Sequence, residues 1–298
     1  MADMKELILG GYDMHVHSAP DVLPRKMDDI EMAERIKQSG MAGYIIKSHY
    51  FCTSERAELI NKMFPDCNAI GAITLNSSVG GINPSAVEMA ARSGAKLVWF
   101  PTCDSAHERA YVLSGKYKKQ PYWATIVQEM AAAGNAAPTV TVLDEKGGLT
   151  EEAYTVLKVI AKYDMILATG HMSHEEAFAL CGEASKMGVK NILVTHADFP
   201  TTFYTVEEQK KFLDMGAYIE HCYTTWATGK CPIETTMEQI KAIGPDHIVL
   251  ATDLGQKTAI YPDEGMLAYA EKLYEAGYSV EEVRKTTVYN PKKLLGLE

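Results

Sequence analysis

Eight short apolar runs, rich in β-branched residues, recur along the chain: GYDMHVH (11–17), GYIIKSH (43–49), AIGAITL (69–75), KLVWFPT (96–102), MILATGH (165–171), NILVTHAD (191–198), AYIEHCY (217–223) and HIVLATDLG (247–255). Each has the length and composition of a buried strand. Most are separated by about 25–30 residues, room for a strand, a crossover helix and two loops, so the sheet is predicted to be parallel. The intervening segments carry apolar residues at helical spacing. Four of them open on a capping-box pattern: Ser173 with Glu176, Thr205 with Glu208, Thr235 with Glu238, and Ser279 with Glu282. Gly188, Gly216 and Gly244 stand where helices should end. Eight strand–helix units predict an α/β fold of the closed (β/α)8 barrel type, a TIM barrel, in one domain spanning 1–298. An open doubly wound sheet is the alternative, and it lacks its usual Gly-x-Gly-x-x-Gly after a strand.

One interval breaks the rhythm. Between the fourth and fifth strands, residues 103–164 read as a polar loop, a helix near Ala124 to Ala133, an apolar run PTVTVLD (138–144) with a Gly-Gly turn, and a helix from about Thr150 to Ala161. An insertion at the C-terminal end of a barrel strand is expected to cover the mouth.

Composition narrows the partners. With 47% hydrophobic and 23% charged residues among 298, the chain can fill a large core. A formal charge of -10 argues against nucleic acid or an anionic membrane as a partner. The N-terminal apolar run is too short for a signal peptide, and no run approaches the roughly 18 apolar residues of a membrane span. A soluble, cytoplasmic protein acting on a small molecule is expected, and a homo-oligomer is compatible with the sequence. Six cysteines without a Cys-x-x-Cys pair fit reduced thiols. Neither Cys103 nor Cys222 has a histidine in a nucleophile motif.

The chemistry gathers where barrel enzymes keep it, at the C-terminal ends of strands. Residues alternate faces along a strand, so Asp13, His15 and His17 should share one face and Tyr12, Met14 and Val16 the other. Two imidazoles on one face at a strand end can grip one metal ion. Lys47 and His49 follow the second strand, His171 the fifth, His196 the sixth, Glu220 and His221 the seventh, and Asp253 the eighth. Glu220 and His221 are adjacent, so only one can face the axis; His221 is favoured here for a substrate or supporting contact. Arg25 after the first strand is a candidate clamp for an anionic substrate group. Asp104 and His107 are further candidate ligands. His174, at a helix start, reads as solvent-facing or pocket-shaping, and His247, before the eighth strand, as structural.

In this ordered set the sequence resembles the amidohydrolase superfamily of metal-dependent hydrolases, most of all its phosphotriesterase-like branch and bacterial relatives, on the segments DMHVH, ATGHMS, VTHADF and ATDLG. The resemblance implies metal ligands at His15, His17, His171, His196 and Asp253, holding one or two divalent ions, zinc first because histidines dominate. It implies a metal-activated water, with Asp253 as general base and then acid, cleaving an amide, lactone, ester or phosphoester. The departure lies at the bridging residue. The fourth strand ends FPTCDSAHE without Lys or Glu at its tip, whereas Lys47 follows the second. Lys47 is either a carbamylated metal bridge or a cation for a substrate carboxylate. A metal-dependent decarboxylase and a non-catalytic metal-binding protein are the alternatives.

Overall fold

The computed structural model describes residues 4–117 and 120–297. Its strands are Tyr12–Val16, Gly43–Ile46, a third stave broken at Gly71 into Asn68–Ile70 and Ala72–Thr74, then Leu97–Trp99, Ile166–Ala168, Asn191–Val194, Ala217–Cys222 and Ile248–Ala251. These are the eight runs read from the sequence, all paired parallel to their neighbours in chain order.

The ladder is not one continuous sheet. A three-stranded part ends at Ile70 and a six-stranded part begins at Ala72. At the other seam, between the eighth and first strands, backbone bonds replace a ladder: Asp253 N–H donates to the His15 carbonyl and His17 N–H to the Leu254 carbonyl, each at 2.8 Å. That seam fixes three candidate site residues against one another.

Apolar residues pack in two layers. One cluster draws on every stave, including Met14, Ile45, Ile70, Leu97, Trp99, Ile166, Leu193, Tyr218 and Val249, and Leu294 and Leu295 of the helix Asn290–Leu295 join it. The other lies between strands and helices, where Ile46, Val98, Leu167, Val194, Ile219 and Leu250 meet helix residues such as Ile36, Leu157, Leu180 and Leu273. Each fully buried side chain of this size contributes about 1.5–3 kcal/mol of transfer free energy. The rim can therefore carry polar chemistry on a well-packed base.

Three of the expected capping boxes form, at Ser173, Thr205 and Ser279. Thr235 does not cap, because the helix Ile233–Ile243 starts directly after Pro232 and leaves Thr235 inside its first turn. Residues 103–164 also differ from expectation. The stretch read as a polar loop holds a helix, Ala106–Leu113, while PTVTVLD forms only isolated bridges, Val140 with Ser105 and Leu143 with Leu149. Helices Ala124–Ala132 and Glu151–Lys162 occur as expected. Trp123 and Ala124 pack on Leu23 and Cys103, and the Tyr122 hydroxyl donates to the Pro24 carbonyl at 3.2 Å, so this segment leans on the loop after the first strand. Among the described residues all six cysteines are free, and no helix is long and apolar enough to cross a membrane.

Candidate metal centre

The first strand does not alternate as its sequence predicts. Its pairing with the second runs Tyr12 to Gly43, Asp13 to Tyr44, then Val16 to Ile46, so three steps on one strand match two on the other. This bulge re-aims the residues beyond it. Met14 packs in the cluster within the barrel, and His15 follows it inward against Trp99, with ring centroids 5.2 Å apart. Asp13 is thereby removed from the histidines' side. Its carboxylate accepts from the His15 N–H at 3.2 Å, the Thr252 N–H at 3.0 Å and the Thr252 hydroxyl at 2.5 Å, bracing the seam instead of joining the site.

Five imidazoles form a chain of rings across the strand ends. His15 lies 5.6 Å from His17 and 4.9 Å from His196, His17 stacks on His49 at 4.9 Å, and His171 lies 5.3 Å from His196 and 6.4 Å from His49. All five are buried. Three of them converge on one carboxylate: the Nε2 atoms of His15, His17 and His196 stand 3.3, 3.2 and 4.0 Å from the Asp253 oxygens. Two of the converging residues pay in backbone strain, His196 with φ of +52° and Asp253 with φ of +51°. Left-handed backbone at non-glycine residues clusters at functional sites because the surroundings must enforce it.

The outer nitrogens have different partners. Both oxygens of Glu220 lie 3.3 Å from His15 Nδ1; Glu220 also accepts from the His196 N–H at 3.3 Å and stands 3.9 Å from His196 Nδ1. The inward residue of the Glu220–His221 pair is therefore Glu220, a correction to the preference for His221. His221 points away, with Nδ1 3.2 Å from Asp198, which also accepts from the Thr236 hydroxyl. The Cys222 thiol comes within 3.9 Å of His15 Nδ1. His17 is set apart, since its Nδ1 faces the Arg25 guanidinium at 3.2 Å. Arginine only donates, so this nitrogen accepts and the ring's proton sits on Nε2, toward Asp253.

Lys47 is 1% exposed; its Nζ lies 2.7 Å from His15 Nε2 and 4.7 Å from the Trp99 ring centre. Burial lowers its proton affinity, although Asp253 and Glu220 resist. His49 is tied to the Thr102 hydroxyl at 2.8 Å. The other candidates lie elsewhere. His107 holds the Thr201 carbonyl, Asp104 holds Ser77, His174 pairs with Glu208, and His247 packs on Tyr218.

Electrostatics suit a cation. Burial holds His17, His49 and His196 well below the usual histidine range, so they are neutral, the ligand form of imidazole. Burial alone would raise the Asp253 carboxyl, but His15, His196, Lys47 and Lys230 outweigh it and hold the group at about 2. Among the described residues, both nitrogens of His171 and Nδ1 of His196 are buried without a hydrogen-bond partner. Donor atoms of His15, His17 and Asp253, and of His15, His196, Glu220 and Cys222, lie within 4.8 Å of one another. Buried, convergent and partly unpartnered nitrogen and oxygen donors fit a divalent ion.

Comparison with known proteins adds two findings. A family described as a family of unknown function, DUF6282, matches residues 10–220. No curated protein matches the sequence. Among solved structures, a probable dipeptidase from Pseudomonas aeruginosa is similar over 99% of this chain and 96% of its own, at 12% identity and a TM-score of 0.64. An amidohydrolase from the same organism is similar over 99% and 97%, at 11% identity and a TM-score of 0.59. An organophosphorus hydrolase from Deinococcus radiodurans is similar over 98% and 94%, at 14% identity and a TM-score of 0.56. At these identities the likeness is one of fold. The fold is a (β/α)8 barrel, similar to that of these hydrolases.

Proposed function

The chain belongs to the family of unknown function DUF6282, and from the centre at its strand ends we propose that it is a metal-dependent hydrolase of small molecules. The observation that carries this reading is the convergence of His15, His17 and His196 Nε2 on the Asp253 carboxylate, at 3.2–4.0 Å. His15, His196 and Asp253 would hold the ion, with His17 and His171 completing the donor set. Zinc is the first choice for a set dominated by imidazole. When bound, such an ion supplies Lewis acidity, polarising a substrate oxygen and allowing water to act as a nucleophile near neutral pH.

The chain's own residues supply the rest. Asp253 is ionised at neutral pH and so is ready to orient the attacking water and accept its proton. Glu220, accepting from His15 Nδ1, leaves Nε2 of that ring unprotonated and directed at the centre. His17 carries its proton on Nε2, so to serve as a neutral ligand through that nitrogen it would have to take the other tautomer, with Arg25 turned away from Nδ1. Lys47 and Arg25 are buried cations beside the centre, suited to an anionic group on the substrate. The solved structures of similar fold are described as a dipeptidase, a lactonase and an organophosphorus hydrolase, which makes amides, lactones and phosphoesters the bonds to try first.

The test is a substrate panel of dipeptides, lactones and phosphotriesters offered to metal-loaded protein. Hydrolysis that requires metal, stops on chelation and is lost in Asp253→Asn supports the proposal; no metal-dependent hydrolysis of any class counts against it. The same two cations favour a second reading, a decarboxylase with the same ligands, and carbon dioxide release from a carboxylated substrate would distinguish it.

A further inference from the structure

Residues 103–164 reach the centre through a side chain that no motif marked. Glu108, on the helix Ala106–Leu113, is fully buried, with Oε2 3.6 Å from His171 Nδ1. Its Oε1 accepts a hydrogen bond from the Tyr117 hydroxyl at 2.7 Å. The preceding residue pins the same helix to the barrel, His107 Nε2 donating to the Thr201 carbonyl at 2.8 Å. A carboxylate so deep is costly unless donors meet it. Burial pushes the group up, yet His171, Thr201 and Tyr117 together hold it below the usual carboxylate range. His171 in turn has no hydrogen-bond partner on either nitrogen among the described residues, and Glu108 stands a few tenths of an ångström beyond bonding distance of Nδ1.

We propose that Glu108 is the positioning residue for His171. It accepts the Nδ1 proton, which fixes the tautomer with Nε2 unprotonated, and Tyr117 locks Glu108 from the far side. Glu220 plays this part for His15, so two carboxylates, one from the seventh strand and one from the helix Ala106–Leu113, aim two of the ligands, a recurrent arrangement around metal-bound histidine. The centre is then incomplete until the helix Ala106–Leu113 has docked. This inference rests on the reading of the site as a metal centre.

The experiment uses the full chain, metal-free and zinc-loaded, in wild type, Glu108→Gln, Glu108→Ala and Tyr117→Phe. In the metal-free protein, long-range 15N–1H NMR of labelled histidine, assigned with a His171→Gln control, reports the tautomer without any metal. The wild type is expected to show His171 with its proton on Nδ1, and Glu108→Gln to lose that preference. Chelator competition is expected to show zinc held about 10–100-fold more weakly in Glu108→Gln, and less weakened in Tyr117→Phe. Should Glu108→Ala fail to fold, the two isosteric variants carry the test. An unchanged His171 tautomer in Glu108→Gln overturns the proposal, as does unchanged zinc affinity. A wild type that shows the tautomer but binds no zinc or other divalent ion would overturn the metal reading, while the Glu108–His171 pairing would stand.

Discussion

Replacing Glu220 by Gln should separate metal affinity from stability. The substitution keeps side-chain volume at a fully buried site and removes one negative charge. His15 Nδ1 now faces both carboxylate oxygens at 3.3 Å, and the His196 N–H donates to one of them at 3.3 Å. A hydrogen bond to a charged group contributes about 1.5–3 kcal/mol against about 0.5–1.5 for a neutral one. The loss is therefore about 1–2 kcal/mol in the orientation of His15, with a smaller share for His196. At about 1.4 kcal/mol per decade this predicts metal binding about 5–30-fold weaker. The metal-free fold should barely respond, because an amide is cheaper to bury than an anion. Its melting temperature is expected within about 2–4 °C of wild type, the shift of about 1 kcal/mol in a protein of this size. Chelator competition at fixed pH and calorimetry of metal-free protein read the two effects. His221→Gln is the control with the opposite signature: the buried Asp198 loses a partner at a cost of about 1–3 kcal/mol, and metal affinity stays unchanged. Undiminished metal affinity in Glu220→Gln would refute the reasoning.

Three further substitutions probe the same centre. Asp253→Asn should retain most of the metal and lose at least about 100-fold in turnover; its folded-state acidity of about 2 against an ordinary 3.8 also means that metal-free wild type gains stability from this group above about pH 4 and loses it as pH falls toward 2, a loss that acid titration should find diminished in the variant. Lys47→Met removes a buried cation 2.7 Å from His15 Nε2, so the ion should bind about tenfold more tightly, by titration against a chelator, whereas loss of the metal would mean that Lys47 serves as a carbamylated ligand. Gly170→Ala should lower stability by about 1–3 kcal/mol and weaken metal binding, because Gly170 has φ of +64° and a Cβ there would meet the Phe100 carbonyl oxygen at 2.3 Å, displacing the adjacent His171; equal denaturant midpoints would contradict this.

The eight apolar runs were legible because barrel strands are buried on both faces and announce themselves as continuous runs. His15, His17, His171, His196 and Asp253 were legible because strand ends, once located, say where side chains gather. What escaped the sequence is geometry finer than alternation. The bulge between Asp13 and Val16 turns His15 inward behind Met14 and sends Asp13 to the seam, and nothing in a period-2 pattern marks an inserted step. The choice between Glu220 and His221 depended on register, and a charged residue facing the barrel axis contradicts hydrophobic patterning until its histidine partners are known. Glu108 was hidden for another reason. Its helix, AHERAYVL, buries Glu108 and none of its apolar residues, so it shows no core-facing apolar stripe, and its partner His171 is distant in sequence. Asp104, followed by Ser105 and His107, drew the eye toward metal ligation, but tertiary packing uses them as tethers to Ser77 and Thr201.

The central claim is that these side chains hold a metal ion, and elemental analysis of protein purified without chelator tests it most directly, with wild type beside His15→Ala. The account predicts about one to two equivalents of a divalent transition metal in the wild type, lost in the variant while the fold persists. A wild type that carries no metal, even after incubation with zinc, manganese and cobalt, would contradict it.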